Sequence, residues 1–167
     1  MKFTKKQLTS IAVLSVVTII IISIQAFRFQ SWGDEVSIWV FDVGQGDAVF
    51  IDADYQILID GGPTDVIIEK LSMVMPFWDR SIDLIVNTHP HADHLTGLID
   101  VLRRYLIGGV WVSGQEYKTS FSNEFDNSIE GLYSIVVAGD FIKLDRNVTV
   151  EVLWPISNLE GVYLDDP

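Results

Sequence analysis

All three histidines of the chain fall inside one heptapeptide, Thr88-His89-Pro90-His91-Ala92-Asp93-His94. Neutral imidazole and carboxylate are the donors that Zn²⁺ and related ions take when no thiolate is offered, and the chain has no cysteine. In an extended loop, residues two apart project to one side, so His89 and His91 can close on a single ion. Asp93 and His94 follow where the loop turns into a helix, and can face a second ion. Upstream, Asp83-Leu84-Ile85-Val86-Asn87-Thr88 is a short apolar run of the buried-strand type. Downstream, Leu95, Leu98, Ile99, Leu102 and Leu106 recur at helical spacing. The cluster therefore lies between the carboxyl end of a strand and the start of a helix, where open α/β sheets place their sites.

The flanking stretches carry the same alternation of strand and helix. Val36 to Asp42, Asp47 to Asp52 and Gln56 to Asp60 read as three strands, the first two joined by a Gly44-Gln45-Gly46 turn. That turn is no dinucleotide fingerprint, because the third glycine is missing and a strand follows it. Helical spacing returns from Asp65 to Met75, and Phe77 and Trp78 are expected to pack this helix onto the sheet. Gly108 to Ser113 reads as a strand, Glu116 to Glu130 as a loop with a short helix, and Ile135 to Leu144 and Val148 to Trp154 as two further strands. Asp140 is expected to be a turn residue, and 158–167 a loop.

The N-terminus is of a different kind. Gln7 to Phe27 carries no charge and is dominated by Ile, Val, Leu and Ala. Roughly 20 helical residues cross a hydrocarbon core of about 30 Å, so an uncleaved membrane anchor is expected over residues 1–28, with 29–35 as a linker and Trp32 at the interface. A cleaved signal peptide fits less well, because Ile24 is too large for the −3 position of a site before Phe27. Lys2, Lys5 and Lys6 precede the apolar run and only Arg28 closely follows it, which places the N-terminus in the cytoplasm and the body, 36–167, outside. Beyond Arg28 the chain has 7 basic residues against 23 acidic, a net charge of −16. Such a body lacks the clustered Lys and Arg on which tight capture of nucleic acid rests.

Thr88 to His94 resembles the metal-binding signature of the metallo-β-lactamase superfamily. Within it, Phe41-Asp42-Val43-Gly44-Gln45-Gly46-Asp47-Ala48 and Leu58-Ile59-Asp60-Gly61-Gly62 resemble the hydrolase domain of ComEC-type DNA-uptake proteins. The resemblance implies an α/β fold of the αββα sandwich type, here truncated to its first half, behind an N-terminal transmembrane helix. It implies metal ligation by His89, His91, Asp93 and His94, with Asp60 beneath them holding their orientation. One or two Zn²⁺, or Mn²⁺, would be the cofactor, and Asp93 would also assist the attacking water. The implied activity is hydrolysis of a phosphodiester or related substrate by a membrane-anchored domain, in DNA uptake or processing. The superfamily's later ligands, another histidine, a bridging aspartate and a last histidine, are not matched after His94. The alternative is thus a catalytically inactive fragment that binds metal weakly at most.

Overall fold

The computed structural model describes residues 5–31, 36–144 and 148–162. Contacts divide the chain into two compact units, Met1–Glu35 and Val36–Pro167.

The first unit is α1 (Lys5–Ser31), which continues three residues into the stretch expected as linker. Three of its hydroxyls are absorbed locally. The hydroxyls of Ser10, Ser15 and Thr18 each donate to the carbonyl four residues back. Ile11, Leu14, Ile19 and Ile22 are exposed. Among the described residues no helix is long and apolar enough to cross a membrane. The side chains of Leu8, Thr9, Ala12 and 24–27 of the expected anchor lie outside the described residues, as does Trp32 of the expected linker.

The second unit is built on a six-stranded sheet. Strands β1 (Ser37–Val40), β2 (Val49–Asp52) and β3 (Ile57–Ile59) form an antiparallel meander. Next come β4 (Ser81–Asn87), β5 (Leu106–Val112) and β6 (Tyr133–Ile135), which continue the sheet in parallel, in the order of the chain. Parallel neighbours need a crossover, and α2 (Val66–Val74), α3 (Ala92–Arg104) and α4 (Ser120–Ser128) provide the three. Each helix is bounded by its chemistry. Helix α2 stops at Met75, which is extended because Pro76 follows. Helix α3 has Asp93 in its first turn and Arg103 and Arg104 in its last, as the helix dipole favours. The Thr119 hydroxyl caps α4 by accepting from the Ser122 N–H.

Successive residues alternate between the two faces of the sheet, and both faces are apolar. Phe50, Leu58, Ile85 and Val110 pack under Ile67 and Leu71 of α2, Leu95, Leu98 and Val101 of α3, and Phe125 of α4. Their neighbours Ile51, Ile57 and Leu84 face the other way, against Leu144, Ile142 and Val150. Those last belong to a hairpin of β7 (Phe141–Lys143) and β8 (Thr149–Glu151). At about 1.5–3 kcal/mol for each large apolar side chain fully buried, the helix face supplies most of the cohesion.

Two expectations are corrected. Ile135 to Leu144 is not one strand, because Gly139 adopts φ +99° and the Asp140 carboxylate accepts from the Val137 N–H, closing a turn between β6 and β7. Phe77 and Trp78 do not pack α2 onto the sheet. They are 82 % and 71 % exposed, in the turn that Pro76 directs away from the helix.

Candidate metal centre

The parallel strands deliver the site. β3 and β4 end side by side, and the residues just past their carboxyl ends are Asp60 and the histidine loop. Asp60 adopts φ +55°, a left-handed conformation that Asp tolerates better than most residues. Its N–H still pairs with the Val86 carbonyl at 2.8 Å, and the buried carboxylate accepts three hydrogen bonds. Oδ1 accepts from the Thr88 N–H at 2.9 Å. Oδ2 accepts from the Thr88 hydroxyl at 2.6 Å and stands 2.9 Å from His94 Nδ1.

These contacts assign the rings. A carboxylate only accepts, so His94 carries its proton on Nδ1 and keeps a lone pair on Nε2. The Thr88 hydroxyl gives its single hydrogen to Asp60, so its oxygen accepts from His89 Nδ1, 2.9 Å away, which leaves the His89 Nε2 lone pair free. One carboxylate thereby orients two imidazoles, one directly and one through Thr88.

The loop brings all three rings together. His89 lies with its ring centroid 4.0 Å from that of His94 and 4.7 Å from that of His91. His91 Nε2 is buried and is the one such side-chain atom without a hydrogen-bond partner among the described residues. Asp93 joins from the first turn of α3. Its Oδ2 accepts from the Gln45 side chain at 3.1 Å, and its Oδ1 stands 4.0 Å from His94 Nε2. The pairing of His89 with His91 and of Asp93 with His94 expected from spacing is thus drawn into one cluster, with His89 touching both other rings.

Close backbone packing keeps this cluster in register. A Cβ on Gly46 would stand 1.9 Å from the Asp93 carbonyl oxygen, and one on Gly97 would stand 1.9 Å from that of Gly61. The β1–β2 turn therefore rests directly on the metal loop, and α3 directly on the Asp60-Gly61-Gly62 turn. The Gly61 N–H donates to His94 O, and the Gly97 N–H to Gly62 O.

Electrostatics favour the ligand forms of both residue types. Burial, then the His94 and His91 rings, hold His89 below the ordinary imidazole value, against weaker pulls from Asp60 and Asp93. Burial raises Asp93, but hydrogen bonds from Gln45 and its own backbone, with His94 and His91, outweigh it and leave the carboxyl below the usual range.

Asp60, His89 and His94 offer ligand atoms within 4.8 Å of one another. The oxygens of Asp60 are already engaged by Thr88 and His94, so Asp60 orients the rings around it. An orphaned buried imidazole nitrogen beside two rings held by their Nδ1 atoms, with a carboxylate alongside, suits a divalent cation of the zinc type. Thr88 and Gln45 carry roles that sequence patterning did not assign. The only signal for either was adjacency, Thr88 to the first histidine and Gln45 to the two glycines of its turn.

A family model described as the metallo-beta-lactamase superfamily matches residues 41–156. Among solved structures, MEM-A1, a subclass B3 metallo-beta-lactamase isolated from a soil metagenome library, is 24 % identical over 66 % of this chain and 47 % of its own, with a TM-score of 0.48. The Rm3 metallo-beta-lactamase is 18 % identical over 67 % of this chain and 46 % of its own, with a TM-score of 0.45. The chain spans about half the length of these structures. No curated protein matches it.

Proposed function

The chain belongs to the metallo-β-lactamase superfamily, and from that membership we propose that it is a metal-dependent hydrolase of phosphodiesters held at a membrane by α1. The single observation that carries the chemistry is the convergence of three imidazoles and Asp93 over Asp60, with His91 Nε2 buried and unpartnered. His89, His91, His94 and Asp93 would hold the metal. When bound, a zinc-type ion supplies Lewis acidity that makes water a nucleophile near neutral pH. Asp60 and Thr88 keep His94 and His89 in the tautomers that present Nε2. Gln45 holds Asp93 ionised, and that carboxylate is the group placed to take a proton from attacking water.

Two stretches support a phosphodiester over a β-lactam, Phe41 to Ala48 and Leu58 to Gly62, through their resemblance to DNA-uptake hydrolase domains. A second reading, a metal-binding chain without turnover, is favoured by one count: the sequence holds three histidines, all in one loop. Four donors leave a two-ion site short, and a poorly fixed ion misplaces the reacting atoms, where about 1 Å can cost on the order of 10²-fold. Residues 1–167 alone are therefore expected to show no robust hydrolysis of a nitrophenyl phosphodiester with Zn²⁺ or Mn²⁺. Supplying the missing donors in a longer chain should give turnover that Asp93→Ala abolishes. Vigorous, chelator-sensitive turnover by the short chain would contradict the count, with Asp140 the first residue to re-examine. Turnover of a β-lactam alone by the longer chain would sink the substrate class.

The anchor rests on its own physics. A helix of 27 residues is about 40 Å long, its described apolar side chains are exposed, and the hydroxyls of Ser10, Ser15 and Thr18 donate to its own carbonyls. With Lys2, Lys5 and Lys6 before its uncharged run, the body lies outside the cytoplasm. A reporter that is active only in the cytoplasm should stay silent when fused after Pro167, and a bright signal would reverse the orientation.

A further inference from the structure

We propose that the end of the domain opposite the histidines is a second membrane contact, which seats on an anionic lipid surface. Chain direction defines this end. β3 and β4 finish at the metal loop, so α2 and α3 start there and finish at the other end, where β4 and β5 begin. Four large apolar side chains stand in water at that end: Met73 at 66 % exposure, Phe77 at 82 %, Trp78 at 71 % and Leu106 at 77 %. Phe77 and Trp78 meet edge to face at 4.8 Å and pack on each other instead of on the core.

Arg80 and Arg104 are exposed at the same end, and neither has a carboxylate at ion-pair distance among the described residues. Asp79, beside them in the turn, is occupied by Gln56 and Ser81. In a body with 7 basic residues against 21 acidic, these two exposed guanidiniums without an ion-pair partner among the described residues, one of them lying over the Tyr105 ring, stand beside exposed aromatic and aliphatic side chains at the mouth of a cavity they share with Asp65 and Glu69. Aromatic rings at headgroup depth with guanidiniums on lipid phosphates are the combination that binds an anionic interface. A nucleic-acid surface would need more cations and far less aliphatic area.

The contact rests on the reading of α1 as an anchor. Docked by this end, the domain presents the histidine loop to the aqueous side.

The chain has no cysteine, so Met73→Cys and Asn123→Cys each accept one fluorophore. Asn123 lies in the first half of α4, toward the metal end. The full chain is reconstituted in phosphatidylcholine vesicles containing phosphatidylglycerol, with nitroxide quenchers in the acyl region. The label at 73 should be quenched several-fold more than that at 123, and Phe77→Ser with Trp78→Ser should remove the difference. Arg80→Gln with Arg104→Gln should shift the balance toward the undocked domain by on the order of tenfold, as should omission of the anionic lipid. A chain that floats with the vesicles while both labels stay equally unquenched overturns the contact and leaves the anchor standing. A chain that does not float overturns the anchor and the contact that rests on it. Protection of the label at 73 by a short oligonucleotide, without quenching by vesicles, would reassign the surface to nucleic acid.

Discussion

Replacing Asp60 by alanine is expected to lower stability by about 3 kcal/mol and zinc affinity by about 10–100-fold, although Asp60 itself is not read as a ligand. The stability loss has a structural source. The Thr88 N–H, the Thr88 hydroxyl and His94 Nδ1 all lose a buried acceptor, and an unsatisfied buried group costs about 1–3 kcal/mol. Alanine also tolerates φ +55° less well than aspartate, at a cost on the order of 1 kcal/mol. The affinity loss comes from the rings, since His94 is no longer oriented and Thr88 no longer fixes the tautomer of His89. Asp60→Asn separates the two effects. Asparagine tolerates the left-handed backbone, and its Oδ1 can still accept from the Thr88 N–H, but its amide nitrogen cannot accept from either the hydroxyl or His94. Urea unfolding should therefore show Asn milder than Ala, while zinc titration shows both impaired. Wild-type unfolding midpoints and wild-type affinity in both variants would remove Asp60 from its orienting role.

The parts of this site that are near one another in sequence were legible in it. His89, His91, Asp93 and His94 lie within six residues, and the apolar runs on either side identify the strand and the helix that hold them. Helix α3 starts at Ala92 with His91 in the N-cap position, so Asp93 and His94 lie in its first turn. What periodicity could not supply were meetings of distant loops. Thr88 reaches Asp60 across 28 residues and Gln45 reaches Asp93 across 48, and neither contact leaves a mark on local pattern. Asp60 was expected beneath the ligands only through family resemblance, since an Asp-Gly after a strand is by itself an ordinary turn. Phe77 and Trp78 show the opposite failure. Hydropathy alone assigns such residues to a core, whereas Pro76 turns the chain outward and strands them in solvent.

The central claim is that the histidine loop binds a divalent metal, and calorimetric titration of the full chain with Zn²⁺ tests it most directly. Histidine ligates as the neutral ring, and burial with the His94 and His91 neighbours already holds His89 below the ordinary value near 6.5. The ring is therefore deprotonated at pH 7 without loss of binding energy to proton release. The sign for the metal-free fold follows from the same shift. A depressed histidine binds fewer protons folded than unfolded, so stability is intact above about 6.5 and falls as pH drops below it. Zinc affinity should fall over the same window. At neutral pH the wild-type chain should bind, and His89→Ala or His91→Ala should each weaken binding by more than about tenfold, because each removes one of the four proposed donors. Equal affinity in wild type and both variants would contradict the account.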